Sequence, residues 1–445
     1  MNARVTTTTE VVASPPPSLA SPEGQLFVLG VTQKGPVGRA VQVNGLAAFT
    51  ATFGARAGGS ATYDLLEMAF KEGLGSAWVA RMAGAGAAAA SKAVGTLTVT
   101  ATSPGAWGNT ISVGWVQSTS SLTVDGVAYP AADVATLNAI LALDSAPVTV
   151  AGTIPSSDVA AATLSGGTDD AAAAVLADGL ALFDGAMGDG AVTVVDKPAA
   201  DVKTALAAHC HATNRHGLIP AVAGSTLAAA LVELTSLTDP SLTLLWPTIT
   251  AGAKTYSPVG LAAGARARAL ASGNPVASPI APAYGLAQFA DGVTTRITDA
   301  EWRTANAAGL SVIRDPLGQV QLAGWRSVAA PGGVRTMQGA NYRDLINRVA
   351  AGCDQVCHEW RGSTVNGPLS LSALTGRLTG FMESISQAFT PRANDPGYSI
   401  DAGPGVNTPA QVATGLILVN VAFRAAGTAE FFTLSIKAAD PAGNL

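Results

Sequence analysis

Three neighbouring stretches decide the fold class: QLFVLGVTQKGP (Gln25–Pro36), SATYDLLEMAFKEGLG (Ser60–Gly75) and SAWVARM (Ser76–Met82). The first is a continuous apolar run closed by Gly35-Pro36, which reads as a buried strand with a turn at its exit. The second reads as a helix. Ser60 or Thr62 supplies the N-terminal cap, Tyr63, Leu66 and Phe70 form the inward face, and Gly73 ends it. The third is again a strand. A strand, a helix and a strand in that order make an α/β unit.

The remaining chain is long enough to hold several such units. The full chain of 445 residues exceeds one compact core, so two to four domains are expected. Hydrophobic residues make up 48% and charged residues only 12%, about half of the usual roughly 25%. A lone subunit with so little charge cannot cover its surface with polar groups, which points to large contacts between subunits. The net charge of -5 gives no reason to expect nucleic-acid binding. Three cysteines, Cys210, Cys353 and Cys357, argue against a disulfide framework and for a reducing compartment. The N-terminus lacks the basic start and apolar core of a signal peptide. Gly, Pro or charge breaks every apolar run before the ~20 residues a membrane span needs. The expectation is a soluble protein made in the cytoplasm.

Along the chain, residues 1–23 read as an extended arm. Val5, Thr6, Thr7, Thr8, Thr9, Glu10, Val11 and Val12 form a β-branched run with no partner nearby, and Pro15–Pro17 makes a stiff spacer after it. An isolated strand leaves its backbone groups unpaired, so this one must pair with something distant, including another chain. Residues 24–92 hold the first α/β piece, and AGAGAAAASKA (Ala83–Ala93) is a low-complexity joint. Residues 93–166 are rich in strands and turns, with GTLTVTAT, NTISVGWV, SLTVDGVAYP and APVTVAGTI as strands. Asp125-Gly126 marks a hairpin, and AADVATLNAILAL a short helix. This looks like a self-contained insert.

Residues 167–325 return to alternation. TDDAAAAVLADGLALFD and AADVKTALAAHCHATNRHG read as helices; AVTVVDKP, LIPAVAG, LTLLWPTI and AGLSVIRDP read as strands buried on both faces of a mostly parallel sheet. In 326–438, following the strand VQLAGWRSV, a long helix carries Leu345, Ile346, Val349, Cys353, Val356, Cys357 and Trp360 on one stripe. A second helix, LSALTGRLTGFMESISQAF, comes next. Two final strands complete this part, and the second holds Phe431, Phe432, Thr433, Leu434, Ser435, Ile436 and Lys437; 439–445 is a tail.

The candidate chemistry is sparse. HCHATNRH (His209–His216) and CDQVCH (Cys353–His358) gather the histidines and cysteines, but neither has the spacing of a zinc site. Cys353 and Cys357 share the apolar stripe, where inert burial is the commoner fate. No phosphate loop, dinucleotide fingerprint or nucleophile elbow is present. Asp169-Asp170 stands before an expected helix, where carboxylates favour the dipole without catalysing anything. No catalytic residue, cofactor or metal is expected. One polar corner remains: TSPGAWGNTISVGW, Thr102–Trp115, in which Pro104, Gly105, Trp107, Gly108 and Asn109 form a turn between two strands. It reads as a folding device, with Trp107 packed and Asn109 bonded to its own backbone, rather than as a ligand clamp.

Several stretches resemble the contractile tail sheath proteins of bacteriophages and related injection machines. They are FVLGVTQKGPVGRAVQVNGLAAFTATFG, LLEMAFKEGLGSAWVARM, SPGAWGN, SPVGLAAGARARALASGNPVASPIAPAYG, LSVIRDPLGQVQLAGWRSV, NYRDLINRVAAGCDQVCHEW and TAEFFTLSIKA. Arg326-Ser327 stands where the family often has Arg-Thr, and Gly427–Phe431 departs from its Pro-Ala-Glu-Phe. The resemblance implies an α/β plus α+β multidomain fold. A mixed α/β sheath domain would carry a β-rich insertion pointing outward, and an α+β C-terminal domain with extended terminal arms would face the tail tube. It also implies partners: further copies of the chain in a helical array, a tail tube protein, and baseplate and tail terminator proteins, with no nucleic acid and no membrane insertion. The location implied is a virion tail assembled in the host cytoplasm. The rival readings are another self-assembling shell or surface-layer protein and an α/β hydrolase-like enzyme.

Overall fold

In the computed structural model, residues 24–427 are described, apart from 57–59, 196, 275 and 366–367. The arm residues Val5–Val12 and the strand Phe431–Lys437 lie outside the described residues. The first piece contains β1 (Leu26–Gly30), β2 (Ala40–Val43), α1 (Leu46–Phe53), α2 (Ser60–Lys71) and β3 (Ala77–Arg81). The insert contains β4 (Ser91–Val94), β5 (Leu97–Ala101), β6 (Ser112–Val116), β7 (Ser121–Val124), β8 (Val127–Pro130), α3 (Val134–Leu143), β9 (Val148–Gly152) and β10 (Val159–Thr163). Alternation then resumes with α4 (Leu176–Ala181), β11 (Ala191–Val194), α5 (Ala199–Thr213), β12 (His216–Pro220), α6 (Leu227–Thr235) and β13 (Leu242–Trp246). Next come β14 (Ile249–Ala251), β15 (Lys254–Tyr256), α7 (Pro258–Leu270), α8 (Pro282–Gly285), β16 (Gly292–Val293), α9 (Asp299–Ala308), β17 (Ser311–Arg314) and β18 (Gln321–Leu322). The last part holds α10 (Ala340–Trp360), α11 (Pro368–Ser384), β19 (Tyr398–Asp401), α12 (Pro409–Ala413) and β20 (Asn420–Phe423).

The central sheet has the order β18-β17-β13-β12-β11-β1-β3-β2, parallel inside and antiparallel at both edges. Its strands are apolar on both faces because helices cover both. Leu26 and Val28 of β1 join one core with α1, α2 and α7, while Phe27 and Leu29 join a second core with α4, α5, α6 and α9. Each such side chain contributes roughly 1.5–3 kcal/mol by leaving water. The expected strands at residues 191–198, 218–224, 242–249 and 308–316 all enter this sheet.

Helix α7 widens the buried face of α2. Eleven residues of α7 are buried, and Gly260 and Gly264 let the two helices touch. A Cβ on Gly264 would lie 2.4 Å from Glu72 Cβ, and one on Gly260 would lie 2.7 Å from Met68 Cβ. Therefore α2 buries Leu65, Met68 and Ala69 as well as Leu66, a wider face than the expected Tyr63, Leu66 and Phe70.

Other expectations shift too. The expected helix over 168–184 is only a short turn at Ala171–Ala173 followed by α4, because Asp170 turns the chain at φ 46°. Within VQLAGWRSV only Gln321 and Leu322 form a strand, paired with β17. Its continuation is also tied to the segment that opens α10, where Ala340 N–H donates to Trp325 O (3.0 Å) and Ser327 N–H donates to Gln338 O (2.8 Å).

The insert has its own core, built on Val99, Trp115, Leu122, Leu137, Leu141 and Val150. Sheets β4-β5-β9 and β10-β6-β7-β8 enclose it. Asp125 and Gly126, at φ 48° and 84°, make the two-residue turn between β7 and β8 that a right-twisted hairpin requires. In the C-terminal part, Tyr342, Leu345 and Val349 of α10 pack with Met382, Ile385 and Phe389. Cys353 lies against this core, whereas Ile346, Val356, Cys357 and Trp360 are only half-buried.

Candidate functional site

The polar corner stands where the insert joins the central sheet. Gly105 takes φ 132°, and Ala106–Thr110 makes one tight helical turn. A Cβ on Gly105 would fall 2.7 Å from Asp169 Oδ1 and 2.8 Å from Arg81 Nη2, so the backbone there must be bare. Trp107 packs against the insert core and donates its indole N–H to Pro104 O (3.1 Å). Asn109 does not bond to its own backbone. Its Nδ2 donates to Gly167 O (2.9 Å), and Gly167 N–H donates to Asn109 Oδ1 (2.8 Å). The cause is topological. Ala88 pairs with Thr168 and Ser91 with Ser165, so the chain leaves the insert beside the place where it entered.

Arg81, the last residue of β3, is the hub of this root. Its side chain is 1% exposed and its Nη2 lies 2.6 Å from Asp169 Oδ1. Its Nη1 donates to Pro104 O (2.6 Å) and Gly35 O (3.2 Å). Burial pulls the guanidinium below its ordinary pKa, and Asp169 works against that pull. Asp169 Oδ2 also accepts from Ala106 N–H, and Asp170 Oδ2 from Gly86 N–H. The carboxylate pair, expected at a helix N-terminus, instead fastens the two ends of the insert together.

The histidines and cysteines are dispersed. His209 faces Arg215, His211 pairs with Asp239 at 2.8 Å, and His216 is buried at the start of β12. Burial pushes the Cys210 thiol up to about 12 and that of Cys353 up to about 11. Thiols held protonated in this way are poor ligands and poor nucleophiles. Among the described residues, no group of three or more His, Cys, Asp or Glu converges as a metal site.

A crevice of about 450 Å³ opens at the C-terminal edge of the sheet beside β11 and β12, the place where α/β enzymes bind ligands. Its carboxylates have structural partners. Asp64 pairs with Arg56 at 2.7 Å, and Glu233 accepts from Val222 N–H at 3.1 Å. Tyr256 donates to Glu67 at 3.0 Å, and burial pushes its phenol up to about 12. No nucleophile stands beside a base among these groups.

Strands β19 and β20 form a two-stranded ribbon with the register Tyr398↔Phe423 to Asp401↔Asn420. It is half-exposed, and among the described residues neither strand has a second neighbour. Such ribbons are marginal alone and present unpaired backbone at both edges. Sequence reasoning missed this pairing, since β19, Tyr-Ser-Ile-Asp, alternates but spans only four residues. Arg81 and its partner Asp169 were also missed, because nothing local signals a pair 88 residues apart.

The fold defines a class. No family model and no curated protein matches the chain in sequence. Among solved structures, the sheath tail protein of Desulfitobacterium hafniense superposes with a TM-score of 0.61 at 15% identity, covering 90% of this chain and 93% of that one. The PVC sheath of an extracellular contractile injection system, in its contracted state, gives 0.59 at 14% identity over 98% of both chains. The helical sheath of the anti-feeding prophage, also contracted, gives 0.57 at 15% identity over 97% of this chain and 99% of that one. The chain has the tail sheath fold.

Proposed function

We propose that this chain is the structural subunit of a contractile tail sheath, polymerising helically around a tail tube and contracting to drive that tube through a cell envelope. The observation that carries the reading is the fold likeness to sheath subunits along nearly the whole chain, insert and C-terminal domain included. The α/β body, from 24–92 and 167–325, holds the insert 93–166 outward, while the C-terminal domain, 326–438, faces the tube. A sheath must shorten without falling apart. Strands that cross between subunits meet this need, since their main-chain bonds tolerate a change in domain tilt. The arm Val5–Val12 and the strand Phe431–Lys437 would enter a neighbour's C-terminal sheet, and the open edges of the β19–β20 ribbon offer the place.

The partners are other copies of the chain, the tube protein, and the baseplate and terminator proteins; the location is a virion tail or injection system assembled in the cytoplasm. No helix of the described residues is long and apolar enough to cross a membrane. Negative-stain microscopy of the purified chain tests the reading. Helical rods or tubes are expected; closed shells would support the rival shell protein, and small uniform particles would sink the sheath.

A further inference from the structure

Helix α10 has two buried faces of opposite character. Tyr342, Leu345 and Val349 turn into the C-terminal core. Asn341, Asp344 and Asn347, at i, i+3 and i+6, are also buried, at 1%, 6% and 2% exposure, and share an adjacent face. That second face meets the central-sheet body. Arg266 of α7, 3% exposed, brings Nε and Nη2 each to 2.9 Å from Asp344 Oδ1. His216, at the start of β12, holds Thr243 Oγ1 at 2.7 Å through Nε2 and places Nδ1 3.5 Å from the same carboxylate oxygen. Its ring meets Trp325 edge-on at 5.4 Å. Asn341 Nδ2 donates to Val276 O at 3.1 Å.

A seam built for adhesion would be apolar. This one desolvates a charge pair and leaves Arg266 Nη1, Trp325 Nε1 and both amide atoms of Asn347 buried without hydrogen-bond partners among the described residues, each of which costs stability. Replacing a buried ion pair by apolar groups of similar volume is often neutral or stabilising, so the pair is a weak source of cohesion. What it does supply is geometry. Two nitrogens of a rigid fork converging on one oxygen are satisfied at one separation and one angle, and in a poorly screened interior any departure is costly.

We propose that Arg266 and Asp344 form an orientation lock, fixing the angle at which the C-terminal domain sits on the central-sheet body. Resting on the sheath reading for its use, the lock passes displacement of the C-terminal domain to the outer body as rigid rotation. The test is a distance distribution by pulsed electron resonance on the full chain, diluted with unlabelled protein. Spin labels go on Ala228→Cys of α6 and Ala373→Cys of α11, both exposed positions, with Cys353→Ser and Cys357→Ser removing the half-buried thiols. The parent should give one narrow peak. Arg266→Met with Asp344→Leu should keep the parent's thermal midpoint yet broaden or split the peak. Asp344→Asn alone should lower the midpoint, because it leaves a buried guanidinium without its counter-charge. If the double variant does not fold, Arg266→Lys keeps the charge without the fork and should still broaden the peak. A parent-like narrow peak in whichever of these variants folds would overturn the lock. The distances are read within one subunit, so a parent chain that forms no tubes would sink the sheath reading and leave the lock standing.

Discussion

Arg215 shows how one residue organises its surroundings. It is fully buried and donates to Phe183 O, Asp184 O and Gly188 O at 2.6–3.0 Å, with its guanidinium 3.7 Å from the centre of the Phe27 ring. Its Nη1 also lies 3.1 Å from His209 Nε2. An arginine can only donate, so His209 must accept there and stay neutral. Burial, followed by the Arg215 charge, lowers the His209 pKa from 6.5 to about 4. The unfolded chain therefore takes up this proton near 6.5, and the folded chain only near 4. Between those values the unfolded state binds more protons, so stability falls as the pH is lowered through that window. Allowing for residual solvent contact, His209 should account for about 1–2 kcal/mol of the loss. His216, also lowered by burial, adds a loss of the same sign. Thermal midpoints at pH 7 and pH 5 check this: His209→Gln should shrink the difference, and an unchanged difference would refute the assignment.

Among the elements, the insert and the terminal strand make opposite predictions. The insert enters and leaves through adjacent strands: Ser91 N–H donates to Ser165 O at 2.9 Å, and Ser165 N–H donates to Ser91 O at 3.2 Å. A short Gly/Ser link can thus replace about Val94 to Gly166 without stretching the central sheet. The expected product is soluble and still forms tubes; an insoluble one would mean that the insert core supports the rest. In the proposed crossing strand EFFTLSIKA, alternation would put Phe432, Leu434 and Ile436 on one face. If this stretch crosses into a neighbour's sheet as proposed, Leu434→Pro takes away a ladder N–H and an inward side chain, at a cost of about 3 kcal/mol or more per subunit, and should abolish tubes. Lys437→Ala should be tolerated. Normal contracting tubes from the Leu434→Pro protein would disprove the crossing-strand mechanism.

For the whole molecule, the scarcity of charge and a ribbon without a further neighbour among the described residues point the same way, toward surface that other copies cover. The central sheet, the insert and the C-terminal part each have a core of their own built from residues after 23. Deleting residues 1–20 should therefore leave a folded, soluble subunit that cannot form long tubes. Circular dichroism with size-exclusion chromatography reads both halves of that statement. Loss of the fold would mean that the arm pairs within its own chain.

Features written in local pattern were legible before any folding. The apolar runs around Phe27, Val192, Leu244 and Val312 read as strands covered on both faces, and Asp125-Gly126 as a tight hairpin. The α/β unit at the start and the turn-rich insert came from these. Features that depend on partners far along the chain emerged only from the folded arrangement. Helix α7, rich in Ala and Gly, has almost no polar face to mark it, because α2 and the sheet surround it. Asp169 looked like a helix-end charge until Arg81 came to meet it, and Asn109 like a local turn former until Gly167 did. The polar stripe Asn341, Asp344, Asn347 went unread beside the apolar one, since a buried carboxylate is credible only once Arg266, 78 residues earlier, is seen to neutralise it. Periodicity and turn chemistry act within a few residues, so they select which elements form. Which polar groups can be buried is settled only when folding brings their counterparts into contact.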